Sequence, residues 1–241
     1  MPPTLFVSDL HLSPVRPAML DACDAFCAGP ARGAAALYVL GDLFDQWIGD
    51  DQLRDPAAAR VAAALRSVAA AGVGTGVMYG NRDMLIGRRF AEAAGATLLP
   101  EQIVVDLYGV PTLLLHGDEL CTDDQAYQRL RVWWHDRTRQ RRFLALPYAV
   151  RQGIGAWLRR KSRKATAGKA RQIMDVNAAA VLQALRAHGV RRMIHGHTHR
   201  PARHDLVVDG RACERWVLSD WYDRGSYLEV DGGGIRTRDV G

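Results

Sequence analysis

The chain lacks any apolar run approaching the roughly 20 residues that cross a bilayer, so no membrane-spanning helix is expected. It opens without the basic, apolar and small-residue series of a secretory signal. The Asp9-x-His11 pair sits too near the start for a removable segment to be expected before it. Cysteine is scarce. Cys23, Cys27, Cys121 and Cys213 have no zinc-type paired spacing, which speaks against a zinc knuckle and for reduced thiols in a cytosolic protein. No internal repeat or low-complexity segment stands out. Acidic residues are nearly missing from Arg129 to Arg171, where Asp136 stands alone against 14 Lys and Arg. That stretch carries about +13 of a net +6, which leaves about −7 for the remainder. The basicity therefore belongs to one segment and needs its own explanation.

The rest is the material of a globular enzyme. The 241 residues are 48% hydrophobic and 24% charged, enough for a substantial core. The first 120 residues alternate strand-like apolar runs with Ala-rich runs at helical spacing, over 17–28, 56–71 and 87–95. Runs at 103–105 and 110–115 read as a hairpin through Tyr108-Gly109. Alternating strands and helices predict an α/β fold. Residues 122–188 read as almost entirely helical, with Asp123 or Asp124 as a first cap. Breaks are expected at Pro147 and Gly153/Gly155, and a bend at Thr166 to Gly168. The spacing of Ile173, Val176, Ala180, Val181 and Leu185 predicts an amphipathic helix over 169–188. Beyond His199 the pattern turns to strands at 205–208, 214–218 and 226–230, with Asp-Gly turns at 209–210 and 231–232.

Five apolar runs each end in residues suited to bind a metal. They lead into Asp9-Leu10-His11, Gly41-Asp42-Leu43-Phe44-Asp45, Gly80-Asn81-Arg82-Asp83, His116-Gly117-Asp118 and His195-Gly196-His197-Thr198-His199. Buried strands whose carboxyl ends converge place their chemistry at that edge. Asp9 and His11, two apart on an extended segment, are expected to share a face. Asp42 has two oxygens with which to bridge two ions, Asn81 offers a carbonyl, and His116, His197 and His199 offer imidazoles. This thiolate-free mixture suits Mn, Fe, Zn or similar ions. Two ions would activate a bridging water and clamp a phosphoryl group in line. Asp45, Asp83 and Asp118 are candidate acceptors that orient histidines or loop backbone. His195 reads as a structural strand-end histidine. His135, His188 and His204 read as surface residues. Asp50 and Asp51 read equally as solvated charges or functional ones.

The five blocks, in this order, closely resemble the signature of the calcineurin-like metallophosphoesterases over residues 9 to 199. The resemblance implies a four-layer α/β/β/α sandwich, with core residues 1–121 and 189–241 and a helical insertion, or cap, at 122–188. It implies one ion on Asp9, His11, Asp42 and His199 and a second on Asp42, Asn81, His116 and His197, with Mn2+ as the metal. Many members carry His after the Asn. Here the residue is Arg82, which cannot act as a general acid near neutral pH but can clamp a phosphate through paired hydrogen bonds. That favours a leaving group needing little protonation. Within the family, the flanks of the blocks are most similar to the subgroup that cleaves the pyrophosphate of UDP-2,3-diacylglucosamine in lipid A biosynthesis. By position, Asn81, Arg82, Asp124, Ser162, Thr166, Lys169 and His197 would contact that substrate.

The insertion interleaves Trp133, Trp134, Phe143, Leu144, Leu146, Tyr148, Ile154 and Trp157 with Arg and Lys. Such helices can line an acyl groove and rest on an anionic membrane surface, each basic residue adding roughly 1 kcal/mol. The expectation is a peripheral protein on the cytoplasmic face of the inner membrane, with no nucleic-acid partner. Two alternatives stay open: a nuclease or phosphodiesterase of the same family with its basic arm on a phosphate backbone, and a non-enzymatic basic scaffold. The aromatic residues also suit a plain helical-hairpin core.

Overall fold

The computed structural model describes residues 1–167 and 175–240, and the side chains of 163–167 lie outside the described set. The chain begins β1 (Thr4–Val7), α1 (Pro17–Ala28), β2 (Ala36–Leu40), α2 (Pro56–Ala70), β3 (Gly74–Met78), α3 (Arg88–Ala94) and β4 (Thr97–Leu98). Pro17 and Pro56 open α1 and α2, where a missing N–H costs nothing. The hairpin β5 (Gln102–Leu107) and β6 (Val110–Leu115) turns at Tyr108-Gly109, both at positive φ. Helices α4 (Gln125–His135), α5 (Arg137–Leu144), α6 (Tyr148–Ala167) and α7 (Ala178–His188) follow. Strands β7 (Arg192–His195), β8 (Ala202–Val208), β9 (Arg211–Val217), β10 (Ser226–Asp231) and β11 (Gly234–Asp239) complete the chain.

The strands form two sheets, one in the order β11-β10-β1-β2-β3-β4 and the other β5-β6-β7-β9-β8. The central strands β1 to β4 pair in parallel, as do β6, β7 and β9. Parallel strands covered on both faces read as continuous apolar runs, and these do. Phe6, Leu40, Met78, Leu114 and Ile194 point between the sheets and form one core. Their neighbours Leu5, Val7, Leu37 and Val39 point the other way, under the apolar faces of α1, α2 and α3. Leu113, Leu115 and Met193 meet Val181 and Leu185 of α7 on the far side. The layers are helix, sheet, sheet, helix, as expected.

The stretch 122–188 divides in its packing. Helix α7 is the fourth layer of the sandwich, whereas α4 and α5 contain no buried residue. Of the helix expected over 169–188, α7 covers Ala178–His188, and the Asn177 side chain caps it by accepting from Ala180 N–H; 169–174 lie outside the described residues. Val176 precedes it, and Ile173 lies outside the described residues. Of the bend expected at Thr166 to Gly168, Thr166 and Ala167 still belong to α6, and Gly168 lies outside the described residues. Gly153 and Gly155, expected as breaks, sit inside α6. Gly155 is there for contact: a Cβ would stand 1.6 Å from Gln46 Nε2 and 3.0 Å from Ile48 Cγ2. The helix therefore lies directly on the 46–48 loop. The turn placed at 231–232 shifts by one, because Asp231 still pairs with Gly234 of the unforeseen strand β11.

Polar anchors fix α4 to α6 on the core. Arg151 of α6 is buried and donates to Asp51 Oδ1 (2.9 Å), Ile48 O (2.5 Å) and Leu146 O (2.9 Å). Arg159 pairs with Asp45, and Tyr148 Oη donates to Asp55 at 2.7 Å. Asp51 is thus no solvated charge. Asp50 accepts from the backbone N–H of Gly87, Arg89 and Phe90 and from Trp47 Nε1, and so caps α3. The hydrogen bond from Arg151 holds the Asp51 carboxyl below its ordinary 3.8. A lowered carboxyl stabilises the fold above its ordinary value and loses that contribution as pH falls through the lowered one. Arg151→Ala removes the hydrogen bonds to Ile48 O and Leu146 O and leaves Asp51 only its more distant pair with Arg54, 3.6 Å away. It is expected to cost about 2 kcal/mol, read as a lower melting temperature and faster proteolysis within 125–167.

Candidate metal centre

The carboxyl ends of β1, β2, β3, β6 and β7 deliver the five blocks to one edge. Strand β1 stops at Val7, so Asp9 and His11 lie in the loop beyond it and not on a shared strand face, as had been expected. This loop runs beside the one after β2: Asp9 N donates to Gly41 O (3.1 Å), His11 N to Asp42 O (3.0 Å) and Leu12 N to Leu43 O (2.9 Å). The side chains are aimed by backbone in the left-handed region. Among the described residues seven non-glycine positions have positive φ, and five of them are Asp9, His11, Asp42, His197 and His199. Each such position costs about 1–3 kcal/mol, a strain that concentrates at functional sites.

Two donor clusters result. Asp9, His11 and His199 bring one ligand atom each within 4.8 Å of one another, and so do Asp9, Asp42 and His116. His199 Nε2 stands 3.2 Å from Asp9 Oδ1 and 3.3 Å from His11 Nε2. His116 Nε2 stands 3.2 Å from Asn81 Oδ1 and 3.7 Å from Asp42 Oδ1, while its Nδ1 faces Leu40 O at 2.9 Å. The His197 ring centroid is 5.0 Å from that of His116. The seven expected ligands therefore come together: Asp9 belongs to both clusters, and Asp42, whose Oδ2 is 3.9 Å from His11 Nδ1, stands beside both. His11 Nδ1 is buried without a hydrogen-bond partner among the described residues, with Asp42 Oδ2 3.9 Å away. An orphaned imidazole nitrogen beside facing nitrogens and carboxylates, with no thiolate, fits divalent cations.

Burial and mutual charge shift these crowded groups in opposite directions. Burial pushes Asp42 up to about 7. Burial drives His116 downward, but the Asp42, Asp9 and Asp118 carboxylates win and hold it up at about 9. Burial lowers His11 to about 3, against the attraction of Asp9. Burial, with the His116 charge behind it, lowers His197 to about 4. Asp9 is held well below the carboxylate range: burial opposes this, and the His199 hydrogen bond and His116 charge overcome it.

The expected supporting residues have different roles. Asp83 accepts from the backbone N–H of Gly80 (2.7 Å), Asp42 (3.2 Å) and Phe44 (3.3 Å), so it orients two loops. Asp118 and Asp45 orient no histidine. Asp118 accepts from Tyr127 Oη (2.6 Å) and Arg131 Nε (2.8 Å), and Asp45 pairs with Arg159, so both hold the helices of 125–167. His195 is structural as expected, buried between Gly196 O and Arg215. His135, expected at the surface, is half-buried beside Tyr79 and Glu101.

An open cleft of about 190 Å3 lies between the 45–48 and 81–85 loops and the helices α4 to α6. Asn81 and Arg82 stand at its inner end, and Trp134, Phe143, Leu158 and Ser162 line it further out. Arg82 N donates to Asp42 Oδ1 at 2.8 Å, which binds the cleft wall to the cluster. Asp124 does not line the cleft. Its carboxylate caps α4 by accepting from Tyr127 N–H at 3.0 Å. Lys169 and the Thr166 side chain lie outside the described residues. Two residues that flank the blocks, and to which the sequence alone assigns no role, touch the donors: Ser8 Oγ donates to Asp9 Oδ2 at 2.7 Å, and the Tyr127 ring stacks on His197.

A two-sheet α/β/β/α sandwich that gathers carboxylates and imidazoles at its parallel strand ends is the architecture of a metallophosphoesterase, and divalent metal use goes with that class. Two solved structures share the fold: an archaeal phosphodiesterase (TM-score 0.50, 11% identity, 99% of each chain) and TT1561 of Thermus thermophilus (TM-score 0.50, 16% identity, 100% of this chain and 99% of that one). No family model matches the sequence. Curated relatives narrow the class. The chain is 50% identical over 232 residues to the UDP-2,3-diacylglucosamine hydrolase of Pseudomonas paraeruginosa, covering 96% of both, and 48% identical over 227 residues to that of Escherichia coli O81, covering 94% of both. It belongs to the UDP-2,3-diacylglucosamine hydrolase family.

Proposed function

We propose that this protein hydrolyses the pyrophosphate of UDP-2,3-diacylglucosamine, giving UMP and 2,3-diacylglucosamine 1-phosphate (lipid X), as a step of lipid A biosynthesis. The observation that carries this reading is the apolar cleft opening directly beside the donor clusters, with Arg82 and Asn81 at the junction. An acylated sugar fills the cleft while its phosphates reach the clusters. We assign one Mn2+ to Asp9, His11, Asp42 and His199, and a second to Asp42, Asn81, His116 and His197. Bound there, the ions supply positive charge that polarises a phosphate and acidifies a water.

The chain's own residues do the rest. Arg82 neutralises and orients a phosphate without donating its proton, which suits a phosphate monoester leaving from an anhydride. His116, whose Nδ1 faces Leu40 O, presents Nε2 to the centre. Trp134 and Phe143, perpendicular at 5.5 Å, exclude water from the outer cleft. Arg82→Ala is expected to lower kcat/KM about 100-fold or more, with Arg82→Lys recovering part of it because it restores charge without the fork. Release of UMP by the purified protein with Mn2+ tests the reaction. No UMP, alongside cleavage of DNA or a cyclic nucleotide, would favour a nuclease or phosphodiesterase of the same class.

Among the described residues no helix is long and apolar enough to cross a membrane. For the outer face of α4 to α6 we propose peripheral attachment to the cytoplasmic face of the inner membrane. Trp133, Val132, Val150 and Trp157 are exposed there, with Arg139 over Trp133 and Lys161 over Trp157. This arrangement fits an anionic lipid surface. Trp133 thus points away from the cleft that Trp134 and Phe143 line. Trp134→Ser with Phe143→Ser is expected to depress turnover of the diacylated substrate about tenfold more than hydrolysis of a small soluble diester. Trp133→Ser with Trp157→Ser is expected instead to weaken liposome sedimentation and spare the soluble diester. Equal loss on both substrates in the first pair would count against the acyl cleft.

A further inference from the structure

Strand β9, parallel to β7, also ends beside the candidate metal centre, and the segment beyond it, Ser219 to Tyr222, belongs to none of the five blocks. Trp221 N donates to Asp9 O at 3.1 Å, so this segment lies against the loop that carries the first two donors. Arg16 fastens the two together: its guanidinium donates to the carbonyls of Leu10 and His11 on one side (3.4 Å each) and of Trp221 and Tyr222 on the other. The Tyr222 ring stands 5.6 Å from both the His11 and the His199 rings, and Arg16 stacks over it at 5.0 Å. Held in this way, Asp220 places Oδ2 3.5 Å from His199 Nδ1. The other nitrogen of the same ring, Nε2, faces Asp9 Oδ1 and His11 Nε2.

We propose that Asp220 is a positioning residue that fixes the orientation and tautomer of His199. With the proton on Nδ1 directed at the carboxylate, Nε2 turns its lone pair toward the donor cluster. Metal-binding imidazoles generally need such a partner on the second nitrogen, and loss of that partner typically weakens metal binding 10- to 100-fold. His116 meets the same need with the Leu40 carbonyl, so the two histidines are oriented by different chemistry. Because His199 is partly exposed, its ring has room to turn if the carboxylate is removed.

The inference rests on the metal centre proposed above. The test is Mn2+ titration of the metal-stripped protein, followed by electron paramagnetic resonance, for wild type, Asp220→Asn and Asp220→Ala. The expected result is Mn2+ affinity 10- to 100-fold weaker in Asp220→Ala and a smaller loss in Asp220→Asn. Saturating Mn2+ should restore kcat, and melting of the metal-free protein should stay unchanged. The isosteric Asp220→Asn decides the matter if Asp220→Ala fails to fold. Wild-type affinity in Asp220→Asn and in any folded Asp220→Ala overturns the proposal and leaves the centre standing. A wild-type protein that binds no Mn2+ overturns both.

Discussion

Asp42→Ala is expected to remove about three decades or more of kcat/KM while leaving the sandwich folded. The carboxylate is buried, with Oδ1 3.7 Å from His116 Nε2 and Oδ2 3.9 Å from His11 Nδ1, so it stands between the two clusters. Its Oδ1 also receives Arg82 N–H, the link to the cleft wall. Alanine removes all three relationships at once. The fold should not suffer in proportion, because burial raises this carboxyl to about 7. A raised carboxyl stabilises the folded protein below its ordinary value and loses that contribution as pH rises through the raised one. Metal-free Asp42→Asn is therefore expected to melt above metal-free wild type at pH 8 and to lose that advantage by pH 4. Steady-state kinetics with Mn2+ and pH-resolved melting curves check the two halves. A variant that is inactive and also unfolded at pH 8 would count against the argument.

Gly196→Ala is expected to abolish metal binding and cost at least about 100-fold in activity. A Cβ at this position would stand 2.1 Å from Ser8 Oγ, 2.2 Å from Asp9 Oδ2 and 2.6 Å from Ser8 Cβ. These atoms cannot retreat, since Ser8 Oγ is held by Asp9 and by Leu40 O. The same Asp9 oxygen accepts from His197 N–H at 2.7 Å, so displacing it disturbs both clusters. Gly153→Ala is the contrast. It lies inside α6 with open space around its Cβ, and there alanine is expected to stabilise by roughly 0.5–1 kcal/mol. Chelator competition and calorimetric melting of the two variants separate a site glycine from a dispensable one.

The chemistry of the centre was legible because each block follows a run of buried residues, and parallel strands expose their ends at one edge. The expected ligands converge for that reason. The way they are aimed was not legible. Spacing at i and i+2 suggests a strand face, whereas Asp9 and His11 reach the site through left-handed backbone that periodicity does not report. Asp220 was overlooked although Trp216-Val217-Leu218 runs toward it as the other five runs do, because no motif flags a lone Asp. The helices of 125–167 misled in a different way. Gly155 looks like a breaker by propensity and is a contact residue by packing. Asp118 and Asp45 look like partners for histidines and are partners for Arg131 and Arg159. Distances along the chain of 13 and 114 residues separate those pairs, and no local pattern connects them.

The anchors also decide what the catalytic edge presents to an approaching substrate. Asp45, Asp51, Asp55, Asp118 and Glu101 all meet Arg or Tyr groups of α4 to α6. A core stripped of those helices would leave most of these carboxylates without their partners, Asp51 keeping only Arg54. Its field would repel a pyrophosphate before any contact formed. By bringing the guanidiniums of Arg131, Arg151 and Arg159 to these carboxylates, the helices weaken a repulsive field, so cutting them away would slow substrate capture even for molecules too small to touch the cleft.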